Sequence, residues 1–354
     1  MKMWWPTLPI TLSLSTATAS LTYKGVDWSS TLVEEESGRT YSGLDGTSHP
    51  LERIFKDNGV NAVRQRVWNN PSDGNYNLDY NLELGKRANE AGLEVFLDFH
   101  YSDTWADPSH QTTPSGWEGD DLQGLASAVK SYTKSVLDSF ASADIPLSIV
   151  SIGNEITAGL LWPVGDMNTA NGPFNVATLL HAASAGVRES NLASQPKILI
   201  HLDNGWNWET QKWWYDAVLG EDVLTLDDFD AQGVSYYPFY NSEATLDALG
   251  TSLGNMRSKY GKEVMVVETN WPESCPSPEY AFPSDAADIP FSPAGQKTWM
   301  KEVASVVESS GGNGVFYWEP AWVDNAALGS SCDDNAMFEW EGQARDSISV
   351  FGSI

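Results

Sequence analysis

The chain has 354 residues, 41% of them hydrophobic, and a formal net charge of −28 at pH 7. This length allows a large buried core in one domain or two, and the acidity argues against nucleic acid and anionic membranes as partners, because both bind basic surfaces. The 16 Trp, 13 Tyr and 12 Phe residues favour a carbohydrate-binding protein, because aromatic faces are suited to stacking on the apolar faces of sugar rings.

The first 19 residues are typical of a secretory signal peptide. Lys2 supplies an early positive charge, a short apolar stretch follows, and Ala17-Thr18-Ala19 is a small-x-small cleavage site. The apolar stretch is too short and too broken to cross a bilayer. The sequence therefore predicts a secreted, extracellular protein without membrane attachment, with a signal peptide at 1–19 and a mature chain at 20–354.

Strand-like and helix-like segments alternate along the rest of the chain. Short apolar runs typical of buried strands occur at 23–28, 60–68, 93–100, 149–152, 197–203, 233–237, 264–268 and 314–318. Between them the apolar spacing becomes helical, as at Leu51, Ile54 and Phe55. This alternation predicts an α/β protein, a single-domain (β/α)8 TIM barrel. A doubly wound sheet is the alternative, but no glycine-rich phosphate loop follows the first strand.

The C-terminal ends of the predicted strands carry many polar and aromatic side chains. The active site of a (β/α)8 barrel lies at this end of the strands. The residues there are Asp27, Arg64, Arg66, His100, Asn154, Glu155, Asp203, Tyr236, Tyr237, Glu268, Trp318 and Glu319. The opposite ends carry ordinary residues such as Leu21 and Ser148, so we expect the functional site at the carboxyl ends.

Two glutamates, Glu155 and Glu268, follow the fourth and seventh predicted strands. A carboxylate at the end of a buried strand is costly unless the group is used. Each glutamate alone could equally be half of a structural ion pair. Glycoside hydrolysis needs two carboxyl groups, one as the acid and one as the nucleophile or base, so we favour a catalytic pair. Asn154 directly precedes Glu155 and can donate its amide to a sugar hydroxyl.

Arg64 and Arg66 lie two residues apart on the second predicted strand, so their side chains face the same side. Buried guanidinium groups need acidic partners, and a structural bridge to a core aspartate would satisfy them. For Arg64 we favour a second interpretation, that it keeps Glu268 ionised, because an adjacent cation favours the charged carboxylate. For Arg66 both interpretations stay open.

His100, Asp103 and Trp105 follow the third strand in the run His-Tyr-Ser-Asp-Thr-Trp-Ala-Asp-Pro. A metal site would need more ligands at suitable spacing, and none lie nearby in the sequence. We therefore predict no metal, a substrate contact for Asp103, and a role for His100 either in binding substrate or in positioning another group. Trp105, Trp271 and Trp322 lie in loops after the strands, where we expect them to form aromatic walls of a cleft.

Cys275 and Cys332 are the two cysteines of the chain. In an exported protein such a pair is more often a disulfide than a metal site. They follow the seventh and eighth predicted strands, which would bring their loops side by side. We therefore predict a disulfide that shapes one end of the cleft, with two free buried thiols as the alternative.

Six runs resemble a known family. Arg-Gln-Arg-Val-Trp, Leu-Asp-Phe-His-Tyr-Ser-Asp-Thr-Trp-Ala-Asp-Pro, Ile-Gly-Asn-Glu, Gly-Val-Ser-Tyr-Tyr-Pro-Phe-Tyr, Val-Val-Glu-Thr-Asn-Trp-Pro and Tyr-Trp-Glu-Pro-Ala-Trp are similar, in this order, to motifs of the fungal arabinogalactan endo-β-1,4-galactanases of glycoside hydrolase family 53. The resemblance covers essentially all residues after 20. It implies a (β/α)8 barrel that hydrolyses β-1,4-galactan, a side chain of pectin, by a retaining double displacement. It also implies that Glu155 is the acid/base, that Glu268 is the nucleophile, and that Arg64 and Asn154 support the reacting sugar.

The sequence therefore predicts a secreted endo-acting galactanase that needs no cofactor, acts as a monomer and has a polysaccharide as its partner. Without the resemblance, the residues leave open another two-glutamate barrel glycosidase, acting on mannan, xylan or glucan. A non-catalytic carbohydrate-binding barrel would predict the loss of a glutamate or of Asn154, and all three residues are present. Some bacterial members of the family hold a calcium ion near the eighth-strand loop, where this chain has its cysteine pair instead.

Overall fold

The computed structural model describes residues 21–354, so the predicted signal peptide at 1–19 lies outside the described residues. In this part of the chain, parallel strands close into a barrel in which each strand pairs with the next and the last pairs with the first. The predicted (β/α)8 barrel is confirmed. The strands are β1 (Tyr23–Asp27), β2 (Ala62–Val67), β3 (Glu94–Phe99), β4 (Ile149–Ile152), β5 (Lys197–Leu202), β6 (Ala231–Ser235), β7 (Glu263–Thr269) and β8 (Gly314–Tyr317).

Helices surround the barrel and connect successive strands. They are α1 (Thr31–Glu36), α2 (Leu51–Asp57), α3 (Leu78–Ala91), α4 (Leu122–Ser142), α5 (Gly172–Arg188), α6 (Trp208–Leu219), α7 (Leu246–Tyr260) and α8 (Pro293–Ser309). Polar residues cap several N-termini, because a side-chain oxygen at this position can accept a bond from an otherwise unpaired backbone N–H. Asn77 caps α3, Asp121 caps α4 and Thr245 caps α7 in this way. After β8 a 3₁₀ segment, Asp346–Gly352, packs against α8.

Apolar side chains fill the N-terminal half of the barrel interior. This inner cluster consists of Tyr23, Ala62, Phe96, Ile149, Leu199, Ala231, Met265, Val267 and Phe316. Gly25 makes room for the ring of Phe316, because a Cβ at position 25 would lie 2.1 Å from it. The filled interior is a packed core and not a channel, so the barrel can open only at its C-terminal end.

Above this apolar cluster the buried interior positions become polar. Arg64 and Arg66 are each 1% exposed on β2, and both pair with Asp27 at the end of β1. Asp98 on β3 and His201 on β5 are fully buried as well. Buried charges are tolerated only when they are paired and hydrogen-bonded, so this polar layer requires the dense network described below.

A disulfide joins Cys275 to Cys332, with their Cα atoms 4.3 Å apart, so the predicted pairing is confirmed. The bridge ties the loop after β7 to the loop after β8. It packs against Phe239, which follows β6, and both Tyr237 and Phe282 contact the same small cluster.

No helix among residues 21–354 is long and apolar enough to cross a membrane. Within the same residues, no group of three or more His, Cys, Asp or Glu side chains is arranged to hold a metal ion. The absence of membrane attachment and of a metal stay predictions from the sequence.

Candidate active site

A cleft of about 490 Å³ opens at the C-terminal end of the barrel. Its walls come from β2, β6 and β7 and from the loops that follow β3, β4, β5, β6 and β8. The sequence-predicted residues that line it are Arg64, His100, Trp105, Asn154, Glu155, Asp203, Tyr237, Glu268 and Trp318. The structure therefore brings these residues together at the end of the barrel where a (β/α)8 enzyme carries its chemistry.

The chain turns sharply where β4 ends, and this turn presents Asn154 and Glu155 to the cleft. Gly153 has a φ of 120° and Glu155 has φ 48° and ψ 48°, in the left-handed region. A non-glycine residue held in this region costs on the order of 1–3 kcal/mol, and such residues cluster at functional sites. The strained backbone of Glu155 is therefore an independent sign that its position matters.

Both oxygens of the Glu268 carboxylate have a donor. Arg64 Nη1 lies 2.8 Å from Oε1, and the hydroxyl of Tyr237 donates to Oε2 at 2.8 Å. Burial raises the pKa of Glu268 above its usual value, and the Asp27 and Asp98 charges add to this rise, but the Arg64 charge and the Tyr237 hydroxyl oppose it. Because Arg64 and Tyr237 both favour the charged form, Glu268 is the carboxyl group of the cleft that is equipped to stay ionised. This contact is the ion pair that the sequence-based interpretation of Arg64 required.

Glu155 has the opposite environment. Burial raises the pKa of Glu155 well above its usual value, and the charges of Glu268, Asp203 and Asp107 raise it further. The charged groups that shift this pKa are all acidic, so the neutral carboxyl is favoured. Two carboxyl groups whose surroundings push their pKa values apart are suited to acid and nucleophile roles.

Arg64 connects this pair to the rest of the polar layer. Nη1 also contacts Asp27 at 2.9 Å, and Nη2 contacts Asp98 at 3.0 Å and Asn154 Oδ1 at 2.7 Å. Asn154 in turn donates through Nδ2 to the carbonyl of Ala106 at 2.7 Å. The amide is thus held at both ends, and one Nδ2 hydrogen stays available for the sugar hydroxyl that the sequence predicts.

Both ring nitrogens of His100 are used within the protein. Nδ1 accepts from Trp68 Nε1 and from the backbone N–H of Ala106, each at 3.1 Å, and Nε2 lies 3.1 Å from Asp98 Oδ2. Burial lowers the pKa of His100, so the ring is neutral and donates to Asp98. Of the two roles predicted for His100, the contacts favour positioning.

Trp105 and Trp318 form an aromatic wall of the cleft, whereas Trp322 contacts Trp105 but lies outside the cleft lining, so the prediction of a cleft wall at Trp322 is corrected. Trp105 stacks on Trp322 with ring centroids 6.2 Å apart and meets Trp318 edge to face at 6.3 Å. All three are half-buried. The Arg66 guanidinium lies 4.5 Å from the Trp105 ring, and its Nη1 is 2.6 Å from Glu319 Oε1. Of the two interpretations of Arg66, these contacts favour the structural ion pair. Arg66 also packs against the aromatic wall on which sugar rings can stack.

Two aromatic residues predicted to bind substrate lie in the core instead. Tyr236 is fully buried, donates its hydroxyl to the carbonyl of Ala244 at 2.8 Å and stacks on Trp299. Adjacent residues of an extended chain point to opposite sides, so Tyr237 faces the cleft and Tyr236 faces the helices. Trp271 is also fully buried against Trp299. The predictions for Tyr236 and Trp271 are corrected.

Asp103 lies outside the cleft lining as well. Its carboxylate accepts hydrogen bonds from the backbone N–H groups of Asn70 and Ser115 at 3.0 and 2.9 Å, and from the Ser115 hydroxyl at 2.8 Å. Asp103 therefore joins the loop after β2 to the loop after β3. The prediction of a substrate contact is corrected to a structural role.

Several polar residues of the site were missed by sequence reasoning. His201 lies between Asn154 Oδ1 and Ser235 Oγ, at 2.8 and 2.9 Å. It interrupts the apolar strand β5 two residues before Asp203, so the alternation of a strand places both on the same face. Asp98 precedes His100 by the same spacing. A polar residue inside an apolar run was the signal that could have identified both.

A closed (β/α)8 barrel with two carboxyl groups in opposite environments at its C-terminal end is the architecture of a barrel glycoside hydrolase. Residues 23–351 match the family model described as Glycosyl hydrolase family 53. The chain belongs to this family, and it is a glycoside hydrolase.

Close relatives cover nearly the whole chain. A probable arabinogalactan endo-β-1,4-galactanase A of Neosartorya fischeri is 60% identical over 98% of this chain and 97% of its own. An arabinogalactan endo-β-1,4-galactanase of Humicola insolens is 58% identical over 95% of this chain and 100% of its own. A solved structure from work on two fungal β-1,4-galactanases superposes with a TM-score of 0.93 and 57% identity, covering 95% of this chain and 100% of that one.

Proposed function

We propose that this protein is an endo-β-1,4-galactanase that cleaves the galactan and arabinogalactan side chains of pectin with retention of configuration. The family and the named relatives support the substrate class. The observation that carries the proposal is the contrast between the two carboxyl groups of the cleft. Arg64 and Tyr237 hold Glu268 as an anion, whereas burial and acidic neighbours keep Glu155 protonated.

In the first step, Glu155 donates its proton to the glycosidic oxygen while the Glu268 carboxylate attacks the anomeric carbon. The bond to the leaving sugar breaks as the ester bond to Glu268 forms, which inverts the configuration once. Trp105 and Trp318 line the cleft around the substrate, where their rings can stack on galactose units.

In the second step, the ester removes the negative charge of Glu268. The repulsion that helps to raise the pKa of Glu155 then disappears, and the pKa of Glu155 falls. Glu155 is now able to take a proton from a water molecule, which attacks the anomeric carbon and inverts the configuration a second time. The same side chain thus serves first as acid and then as base.

We also propose that the enzyme is secreted and works as a monomer. The signal-like sequence at 1–19 and the Cys275–Cys332 disulfide support secretion, because disulfides persist in oxidising compartments. The net charge of −28 favours separate copies through mutual repulsion. Recovery of the protein from the culture medium tests secretion, and light scattering coupled to gel filtration of that protein tests whether it is a monomer.

The substrate is tested by the release of reducing ends from linear β-1,4-galactan, with mannan, xylan and glucan in parallel. We expect rapid loss of viscosity and a mixture of oligosaccharides from galactan, since an endo enzyme cuts within the chain. Preferential cleavage of one of the other polysaccharides would contradict the proposal. Proton NMR of the first product should show the β anomer before mutarotation.

The roles of the two glutamates are tested with Glu268→Ala. This variant should lose turnover and retain galactan binding, and azide should restore cleavage of an activated aryl galactoside with an α-galactosyl azide as product. Glu263→Ala is the matched control, because Glu263 lies at the other end of the same strand, where it pairs with Lys197. Wild-type turnover by Glu268→Ala, or loss of turnover in the control, would refute the assignment.

A further inference from the structure

Gln111 is a buried residue of the loop after β3, and its side chain contacts the backbone of the turn that carries Glu155. It is 2% exposed and lies outside the cleft lining. Its Nε2 donates to the carbonyl of Asn154 at 2.9 Å and to the carbonyl of Asp107 at 3.1 Å. A carbonyl oxygen has only lone pairs, so these two partners determine the orientation of the Gln111 amide and use both of its hydrogens.

The backbone on both sides of Gln111 is anchored. The carbonyl of Gln111 accepts from the N–H of Trp162 at 2.7 Å, and Thr113 donates its hydroxyl to the carbonyl of Trp162 at 2.8 Å. Directly before Gln111, the N–H of Asp107 donates to the carbonyl of His110 at 2.8 Å, and the N–H of His110 donates back at 3.1 Å. The Gln111 side chain therefore reaches the turn after β4 from a segment whose own position is fixed.

The carbonyl of Asn154 belongs to the peptide group that sets the φ of Glu155. If this peptide group rotated by half a turn, its oxygen and its N–H would exchange sides, and the φ of Glu155 would change from 48° to a negative value. The rotation would relieve the left-handed conformation, which is unfavourable for a residue with a side chain. It would also turn the N–H of Glu155 towards Nε2 of Gln111, a donor against a donor. Gln111 could accept this N–H only by turning its amide over, which would break its bond to Asp107 as well.

Asn154 binds the same loop in the opposite direction. Its Nδ2 donates to the carbonyl of Ala106 at 2.7 Å, while Gln111 donates to its backbone carbonyl. Two amide side chains thus cross between the loop after β3 and the turn after β4. The side chain of Asn154 is also held by Arg64, so the bond from Gln111 is the contact that acts on the backbone next to Glu155.

We propose that Gln111 is a positioning residue for Glu155, because its bond to the Asn154 carbonyl holds the strained peptide group in the orientation that presents the Glu155 carboxyl to the cleft. The proposal rests on the proposed function of Glu155 as the acid and base. It extends that function by a buried residue that acts through the backbone of Asn154 and does not touch the substrate. Loss of Gln111 should therefore impair the steps that Glu155 serves and leave galactan binding intact.

The first test is Gln111→Met, which removes both amide hydrogens and nearly keeps the volume of the side chain. On galactan, kcat should fall about 10- to 100-fold, because a displaced general acid loses much of its contribution, and KM should stay unchanged. An activated aryl galactoside has a leaving group that departs without protonation. The first step on this substrate should therefore keep the wild-type rate. Wild-type kcat on galactan in Gln111→Met would overturn the proposal.

Azide distinguishes a displaced acid and base from a general loss of structure. With the activated aryl galactoside, Gln111→Met should form the ester at Glu268 and then wait for a base to activate water. Azide needs no base: it attacks the anomeric carbon, the bond to Glu268 breaks, and the product is β-galactosyl azide. We expect azide to accelerate turnover of this variant about 10-fold and to leave the wild-type rate unchanged. A variant that does not respond to azide would overturn the proposal.

Gln65→Met is the matched control. Gln65 is a fully buried glutamine of β2 outside the cleft lining, and its Nε2 donates to the carbonyl and to Oδ1 of Asn81 on α3. Gln65→Met should lower Tm without a change in kcat on galactan and without a response to azide. If it behaved like Gln111→Met in both assays, the effect would be general loss of packing, and the proposal would be overturned.

Glu155→Ala separates the two levels of inference. If it still cleaves galactan at the wild-type rate, or gives no β-galactosyl azide from the activated substrate, the proposed function of Glu155 fails. If it gives β-galactosyl azide while Gln111→Met does not, only the role of Gln111 fails.

A measurement on the unchanged enzyme covers the case in which Gln111→Met does not fold. Both Nε2 hydrogens of Gln111 are bonded to buried carbonyls, so NMR should show that they exchange with solvent about 100-fold more slowly, or slower still, than those of the exposed Gln195. Similar exchange rates for the two glutamines would show that Gln111 does not hold the Asn154 carbonyl and would overturn the proposal.

Discussion

The hydroxyl of Tyr237 should control the acidic side of the pH profile. It donates to Glu268 Oε2 at 2.8 Å, while Arg64 holds the other oxygen. Tyr237→Phe removes the hydroxyl and leaves the ring, so packing against the disulfide cluster is retained. The carboxylate of Glu268 then keeps one donor of two, and its ionised form becomes less favourable.

The expected size follows from the type of bond. A hydrogen bond to a charged group contributes roughly 1.5–3 kcal/mol, and one pKa unit corresponds to about 1.4 kcal/mol. Loss of the bond should therefore raise the pKa of Glu268 by about 1 to 2 units. Since the nucleophile must be ionised, the acidic limb of kcat/KM should move up by the same amount. The acidic limb reports an apparent pKa of the coupled pair Glu155 and Glu268, because the two carboxyl groups lose their protons in two macroscopic steps.

Tyr236→Phe is the matched control, because the neighbouring tyrosine loses the same atom in the core. Its hydroxyl donates to the Ala244 carbonyl, so we expect a loss of about 1 kcal/mol in the free energy of unfolding and an unchanged pH profile. Kinetics on galactan at ten or more pH values, with calorimetry of each variant, measure both effects. An acidic limb that stays in place in Tyr237→Phe would refute the assignment of Glu268 as the anion that this hydroxyl stabilises.

Three further predictions concern binding and stability. Trp318→Ala, at a site that lines the cleft, should weaken galactan binding about 5- to 10-fold, as expected for the loss of an aromatic stacking contact, with little change in Tm. Trp271→Ala, at a fully buried site, should lose about 3–5 kcal/mol of stability without weaker binding. Affinity electrophoresis and calorimetry measure the two effects, and the reverse pattern would contradict both assignments. The Cys275–Cys332 disulfide closes a loop of 57 residues, and in the chain-entropy model a closed loop of this length stabilises the folded state by about 4 kcal/mol. Reduction of the disulfide should therefore lower Tm and raise KM. An unchanged KM would show that the disulfide does not influence the cleft. Burial and the neighbouring Asp324 raise the pKa of Glu34 from 4.5 to about 7. The folded-state pKa then lies above the unfolded-state pKa, so the free energy of unfolding decreases as the pH rises from 4.5 to about 7. Tm should fall less over this pH range in Glu34→Gln than in the wild-type enzyme, and an equal fall in both proteins would contradict the linkage.

The barrel itself was predictable because its signals are local. Each strand is a short apolar run, and a helical spacing of apolar residues follows it. The two glutamates were predictable for a similar reason, since a buried strand that ends in a carboxylate demands an explanation. The six sequence runs also identified the family, which the match over residues 23–351 confirms.

The predictions that were wrong depend on the direction in which a side chain points or on the path of a loop. Tyr236 and Tyr237 were both expected in the cleft, although an extended chain can present only one of two neighbours. Strands of a parallel barrel are buried on both faces, so their apolar pattern does not tell which neighbour faces inward. Trp271 lies beyond the end of β7, and the course of a loop is not encoded in strand alternation. His201 was not predicted because only the residues at the ends of the strands were considered, and His201 lies two residues before Asp203 at the end of β5.

Arg64 has more buried carboxylates around it than its single positive charge requires. The two charge states of Glu268, the nucleophile, explain this excess. In the proposed mechanism the ion pair between Arg64 and Glu268 exists before the ester forms and is lost while the ester lasts. A buried cation left without a partner would cost several kcal/mol, and this cost would destabilise the intermediate. Asp27 and Asp98 prevent it, because they stay within 2.9 and 3.0 Å of the same guanidinium. Arg64 therefore need not move between the steps, and its charge is in place each time Glu268 recovers its own.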